Sequence, residues 1–182
     1  MIKKINTFSE PVLYKKTAPV KPKTSSLTAA VDDSASLWSP EIMDLCTDLV
    51  ETAESMSEQC LGLAATQIWD KPTPCPRIFV MRWFTKPEAN IERGWAWQTI
   101  INPLIKTSGK TIKWEEGCLS LPNKVFKKSR KKNVLMTFQT VDSLKPVTMK
   151  FFGKDNIVSY VIQHEVAHLE GTLISHQFKG GS

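Results

Sequence analysis

Gln163-His164-Glu165-Val166-Ala167-His168-Leu169-Glu170-Gly171 is the stretch on which the reading of this chain turns. At 3.6 residues per turn, His164 and His168 share one helix face. Two imidazoles there can hold one metal, and Glu165, next to the first, is placed to act as a base on water beside it. Ile157, Val158, Val161, Ile162 and Leu169 give the same segment an inward apolar side. Asp155 or Asn156 can cap its start, and Gly171 can end it. A core helix with two half-buried, hydrogen-bonded histidines has the same pattern without a metal, so a third ligand has to decide.

Downstream candidates fail on register. The His-Glu-x-x-His-x-x-Gly-x-x-His template accepts Gly171 but needs a histidine at the place of Ile174, and His176 lies two residues away. Little chain follows to supply a glutamate. Upstream, Cys118 stands between Gly117 and Leu119 at the end of an expected strand. One thiolate and two imidazoles would leave a tetrahedral ion one open position, as a catalytic site requires. Cys46 falls in the apolar stripe of a helix and Cys75 in a proline loop, which suit a ligand less well.

Composition frames these residues without naming a reaction. The 182 residues, 41% hydrophobic and 23% charged, suit one domain spanning 1–182. No apolar run approaches the ~18 residues of a membrane-spanning helix, so no membrane partner is expected. The start, Met1-Ile2-Lys3-Lys4-Ile5, lacks the apolar segment of a secretory signal, making the cytoplasm the expected location. Four cysteines without a Cys-x-x-Cys pair fit a reducing compartment. A net charge of +6 and a pI near 9.1 favour anionic partners.

Along the chain, residues 2–20 read as a loop wrapping the domain and 21–39 as an exposed loop. Ser39-Pro40-Glu41 starts a helix over about 40–58, with Ile42, Leu45, Cys46, Leu49 and Ala53 on its apolar stripe. Cys60 to Ile68 is strand-like and rich in small residues that allow close approach. Strands are expected at 77–83, 97–102, 110–114, 133–141 and 146–152, the last two joined by a turn at 142–145.

Three segments now carry a resemblance. Leu61-Gly62-Leu63-Ala64-Ala65-Thr66-Gln67, Glu116-Gly117-Cys118-Leu119-Ser120 and Gln163 to His168 resemble, in order and spacing, the three motifs of the peptide deformylases. Glu10-Pro11-Val12-Leu13 through Val20 is similar to that family's opening segment. The resemblance implies an α+β fold with antiparallel sheets around a metal-bearing helix. It implies hydrolytic removal of formate from the N-formylmethionine of new polypeptides. By matching position, Cys118, His164 and His168 would bind the ion and Glu165 would be the acid/base. The Gln67 amide and the Leu119 N–H would be oxyanion donors, with Gly62 and Gly117 beside the peptide. Leu61, Leu119, Ile157, Tyr160 and Val161 would line the methionine pocket, with the Tyr160 hydroxyl free to point either way. Fe(II) is the ion the resemblance implies, and the donor set also suits zinc, nickel or cobalt.

The chain departs from the family pattern at Cys60 (glycine in the family), Thr66 (proline) and Ala167 (aspartate). These motivate an alternative, a weak or inactive relative acting as a peptide- or ribosome-binding module. A metallopeptidase on another fold is a third reading. About eleven residues follow Gly171, so the C-terminal helix of many bacterial members is not expected. Lys124 to Lys132 holds six basic residues in nine, expected as a solvated loop. If functional, it would attract ribosomal RNA phosphate regardless of base sequence.

Overall fold

The computed structural model describes residues 1–23, 36–56, 60–84, 95–152 and 157–175. Its packing centres on β2 (Ile78–Phe84), where Ile78, Phe79, Val80 and Met81 are all fully buried. A strand apolar on both faces needs cover on both. Helix α1 (Pro40–Ser55) covers one: its Ile42, Leu45, Leu49 and Ala53 cluster with Ile78 and Val80. Helix α2 (Ile157–Leu169) covers the other, where Ile162, Val166 and Leu169 cluster with Phe79 and Met81. Each such side chain contributes roughly 1.5–3 kcal/mol by leaving water.

The fold is α+β, as expected. The described strands form one antiparallel sheet in sequence order: β1 (Gly62–Ala64), β2, β3 (Trp95–Gly117), β4 (Val125–Thr140) and β5 (Ser143–Phe151). Helix α1 starts where its signals say, with the Ile42 N–H donating to Ser39 Oγ at 3.4 Å and Pro40 in the first turn. It ends at Ser55, earlier than expected. Trp38, fully buried, donates from Nε1 to the Thr140 carbonyl at 3.1 Å, and the Lys23 N–H donates to the Leu37 carbonyl at 3.0 Å. Most of the loop expected over 21–39 lies outside the described residues, as do Asp155, Asn156 and His176.

Three expectations about strands are corrected. The two strands expected over 97–102 and 110–114 are parts of β3, 23 residues long, whose pairing with β4 shifts register at Ile101/Leu104 and Ser108/Thr111. Asn102, with φ of 52°, and Gly109, with φ of 80°, sit at those shifts and break the alternation in the sequence. The basic run 124–132 is no loop: from Val125 it is the first half of β4, paired with β3 from Gly117 back to Thr111. Alternation then sends its side chains to opposite faces. The turn after β4 is shorter than 142–145, since Thr140 already pairs with Ser143.

The N-terminal segment wraps as expected, and its hydrogen bonds show what it ties together. The Asn6 N–H donates to the Gln67 carbonyl at 2.7 Å, and Asn6 Nδ2 reaches the Thr66 and Trp69 carbonyls at 3.0 Å each. The Phe8 N–H donates to the Ser120 carbonyl at 3.1 Å, and the Thr17 N–H to that of Leu169 at 2.9 Å. One strap therefore touches the segments around Gln67, Cys118 and His168. It passes α2 where Gly171, with φ of 72°, ends the helix; a Cβ there would lie 2.8 Å from Tyr14 backbone atoms. Gly171→Ala should therefore destabilise the fold by at least about 2 kcal/mol, since left-handed backbone alone costs ~1–3 kcal/mol for other residues. Urea unfolding would read this as a lower midpoint at constant slope. An unchanged midpoint would mean that the strap does not press on the helix end.

Candidate metal centre

On α2, His164 and His168 stand one turn apart with ring centroids 5.0 Å apart, edge to face. Cys118 follows the last residue of β3 in a tight turn closed by the Leu121 N–H on the Cys118 carbonyl at 2.8 Å. Its Sγ lies 3.2 Å from His168 Nε2. The thiol and both imidazoles offer ligand atoms within 4.8 Å of one another, a group that can hold one metal ion. The remaining cysteines do not compete: Cys46, Cys60 and Cys75 are buried, and burial pushes each thiol up to about 12.

The donors are oriented from behind. Glu116 Oε2 accepts from His164 Nδ1 at 2.9 Å, which leaves His164 Nε2 to face an ion. Arg130 in turn grips Glu116 through Nε and Nη2, both at 2.6 Å. Burial disfavours the Glu116 charge, yet Arg130 and His164 overcome it and hold the carboxyl down at about 2. Burial also opposes charge on His164, but Cys118 and Glu116 hold it up at about 10. His168 is driven well below its ordinary value by burial and by its cationic neighbours His164 and Arg130. An ion at this site therefore takes the place of a proton, the linkage expected of a thiolate-imidazole centre.

Glu165 is 3% exposed. Burial raises its carboxyl to about 7 against the pull of His164, with Glu116 adding to the rise. A Cβ on Gly62 would lie 2.7 Å from Glu165 Oε1, so only glycine leaves room at this point of β1. Glu165 Oε2 is buried without a protein partner among the described residues. A buried carboxylate oxygen left open in this way fits a proton acceptor beside an ion. Gln67 is fixed at both ends of its amide: Oε1 accepts from the Ala64 N–H at 2.9 Å, and Nε2 donates to Ser120 Oγ at 3.2 Å. That network aims the amide N–H toward Cys118, 3.9 Å from Sγ.

These groups line a cavity of about 560 Å³ with Leu61, Gly117, Leu119, Ile157, Tyr160 and Val161, so the expected site residues converge on one space, His168 lying buried behind it. Tyr160 turns inward, 4% exposed, against Trp114 of β3 at a centroid distance of 5.0 Å. Cys60 lines the same cavity and donates from Sγ to the Gly62 carbonyl at 3.2 Å. Thr66 is buried with Oγ1 unpartnered among the described residues, its carbonyl held by Asn6. Ala167 is half-buried on the helix flank.

A family profile for polypeptide deformylases matches residues 2–181. The chain belongs to this family. It is 31% identical over 175 residues to the peptide deformylase of Mycobacterium sp. (strain JLS), across 93% of this chain and 77% of that one. It is 31% identical over 144 residues to peptide deformylase 2 of Streptomyces coelicolor, covering 79% and 72%. Among solved structures it is similar to a probable peptide deformylase from Synechococcus phage S-SSM7, with a TM-score of 0.70, 28% identity and coverage of 94% and 97%. A peptide deformylase of Acinetobacter baumannii bound to Met-Ala-Ser shares the fold at a TM-score of 0.71 and 22% identity. The chain is thus a metal-dependent hydrolase that removes the formyl group from N-formylmethionine at the start of new polypeptides.

Sequence reasoning did not find the residues behind the centre: Arg130, Ser120, Trp114 and the orienting role of Glu116. Arg130 was hidden inside the basic run, and only the alternation of β4 separates it from its outward neighbours. Gln163 joins this set, exchanging hydrogen bonds with the Lys131 backbone at 3.0 and 2.8 Å. Because its folded pKa is depressed, Glu116 stabilises the fold above its unfolded value near 4.5, and that stabilisation is lost as pH falls through about 2. In metal-free protein, Glu116→Ala should cost about 3–5 kcal/mol by leaving Arg130 buried and unpaired. It should also flatten the acid side of the stability profile. A variant as acid-sensitive as the wild type would remove Glu116 from this role.

Proposed function

We propose that Cys118, His164 and His168 hold one divalent ion and that Glu165 carries the proton of deformylation. The observation that bears most weight is the approach of those three donors to within 4.8 Å of one another beside a peptide-sized cavity that Glu165 lines, its buried Oε2 without a partner among the described residues. Fe(II) is the ion we assign, with zinc, nickel and cobalt able to occupy the same soft-and-borderline donor set. When bound, the ion supplies a Lewis acid that polarises the formyl carbonyl and eases deprotonation of water.

The chain's own residues do the rest. Glu165 accepts a proton from the attacking water and returns it to the departing amine, so formate and a free N-terminus result. Gln67 Nε2 and the Leu119 N–H donate to the formyl oxygen as charge grows there, each worth on the order of 3 kcal/mol. β1 is an edge strand paired only with β2 among the described residues, which leaves its outer side, beside Gly62 and facing Gly117, open to an extended peptide. The first side chain then enters the apolar wall of Leu61, Ile157, Tyr160 and Val161. The substrates are formyl-Met peptides and nascent chains, in the cytoplasm and beside the ribosome.

None of the three departures removes a ligand, the base or a donor. Cys60 keeps its thiol on the Gly62 carbonyl, Thr66 is buried, and Ala167 is half-buried on α2. Those positions favour an active enzyme over a binding-only relative.

Alanine at Cys118, His164 or His168 should abolish stoichiometric metal, read by elemental analysis, while Glu165→Ala should retain it and lose formate release. A metal-replete, active Cys118→Ala protein would overturn the ligand set. Formyl-Met peptides should exceed formyl-Ala peptides in kcat/KM by about 1–3 kcal/mol of transition-state preference. Equal efficiencies would mean that the first side chain does not enter this wall.

A further inference from the structure

Charge is distributed unevenly in this fold. Residues 95–152, which form β3 to β5, carry eleven basic and three acidic residues, a net +8 in a chain whose total is +6. Helix α1, on the β2 side of the sheet, carries five acidic residues and no basic one. The strand pairing sorts the positive charge further. Inward positions of β4 include Arg130, spent on Glu116, and the buried Val134, Met136 and Phe138. Outward positions include Lys127 and Lys131, with Lys113 and Lys106 facing the same way from β3 and Lys150 from β5. All five are exposed, and only Lys127 has an ion-pair partner among the described residues, Glu115 at 3.5 Å.

We propose that this outer face of β3–β5 docks on the phosphate backbone of folded RNA, a reading that rests on nascent chains being the substrate. The charge is the first reason. The second is that Ser108, Thr111, Ser129, Asn133 and Thr137 share the outward face with the lysines, alongside Leu104, Leu135, Val125 and Glu115, and these hydroxyls and this amide can donate to phosphate and sugar oxygens. The third is what the face lacks. No aromatic side chain occupies an outward position in the paired stretch from Leu104 to Gly117 and Val125 to Thr137, so unstacked bases find no platform there. A sheet face reading backbone and not bases recognises a duplex region by its phosphates and discriminates little among sequences. None of the five lysines lines the cavity, which meets this hairpin only at its end, through residues 114–117, Lys124 and Val125, so a molecule docked by them keeps its site open.

The test is fluorescence anisotropy with a labelled RNA hairpin of about 20 base pairs, titrated at several salt concentrations. Three proteins are compared: the wild type; Lys113→Glu with Lys131→Glu and Lys150→Glu; and Lys4→Glu with Lys15→Glu and Lys21→Glu, exposed lysines elsewhere. The two variants have equal net charge. The face variant should lose at least tenfold in affinity and flatten the dependence of log K on log salt by about three units, close to one per lost contact. The distant variant should lose under threefold, and all three should release formate from a free formyl-Met peptide alike. A glutamine triple at the same face positions, expected to lose affinity less steeply, serves if the glutamate triple does not fold. Equal losses in the two variants would reduce the effect to net charge and overturn the proposal. So would absence of wild-type binding at low salt, or tighter binding to phosphatidylserine vesicles than to the hairpin. Loss of peptide activity with hairpin binding intact would overturn the catalytic reading alone.

Discussion

Glu116 is one carboxylate shared by two cations, Arg130 on β4 and His164 on α2, at distances of 2.6 to 2.9 Å. It stands one residue before Gly117 and two before Cys118, so the strand that delivers the thiol also delivers the group that aims the opposing imidazole. A buried ionic network of this kind contributes little net stability against an apolar replacement, because desolvating its charges costs about what their attraction returns. Its effect is positional. It fixes which nitrogen of His164 is free, it sets how far α2 sits above β3, and it charges the neighbourhood in which Glu165 titrates.

Around that network the chain places its chemistry by close approach. Gly62 admits the Glu165 carboxylate and Gly171 admits the N-terminal strap, and in each case a single methyl group would collide with what lies opposite. The strap itself has little regular structure. Its backbone hydrogen bonds to Gln67, Ser120 and Leu169 nevertheless join three segments distant in sequence, so it ties the Gln67 segment, the Cys118 turn and the helix end together. Such a loop satisfies buried backbone groups that would otherwise be orphaned at the ends of β1 and α2.

Much of this was legible in the sequence. The spacing of His164 and His168 and the failure of any downstream ligand both pointed back to Cys118, and the apolar periods located α1, β2 and α2. What stayed hidden depends on pairing across the sheet. Asn102 and Gly109 interrupt the alternation of β3, so one strand read as two. The basic run read as a loop because its composition is that of one. Nothing local says that Lys131 faces solvent while Arg130, one residue earlier, faces a buried carboxylate fourteen residues upstream. The direction of Tyr160 was likewise open until Trp114 was placed against it.

The alternation along β4 also bears on how the strand finds its place during folding. A slip of one residue against β3 would turn Arg130 outward and bring a lysine toward Glu116. A single flexible ammonium cannot reproduce the two-point grip of a guanidinium. The slipped hairpin would bury a poorly matched carboxylate and expose Val134 and Met136, whereas the native one does neither. The same arginine that holds Glu116 against His164 in the finished protein thus acts as a checksum on the alignment of its longest hairpin.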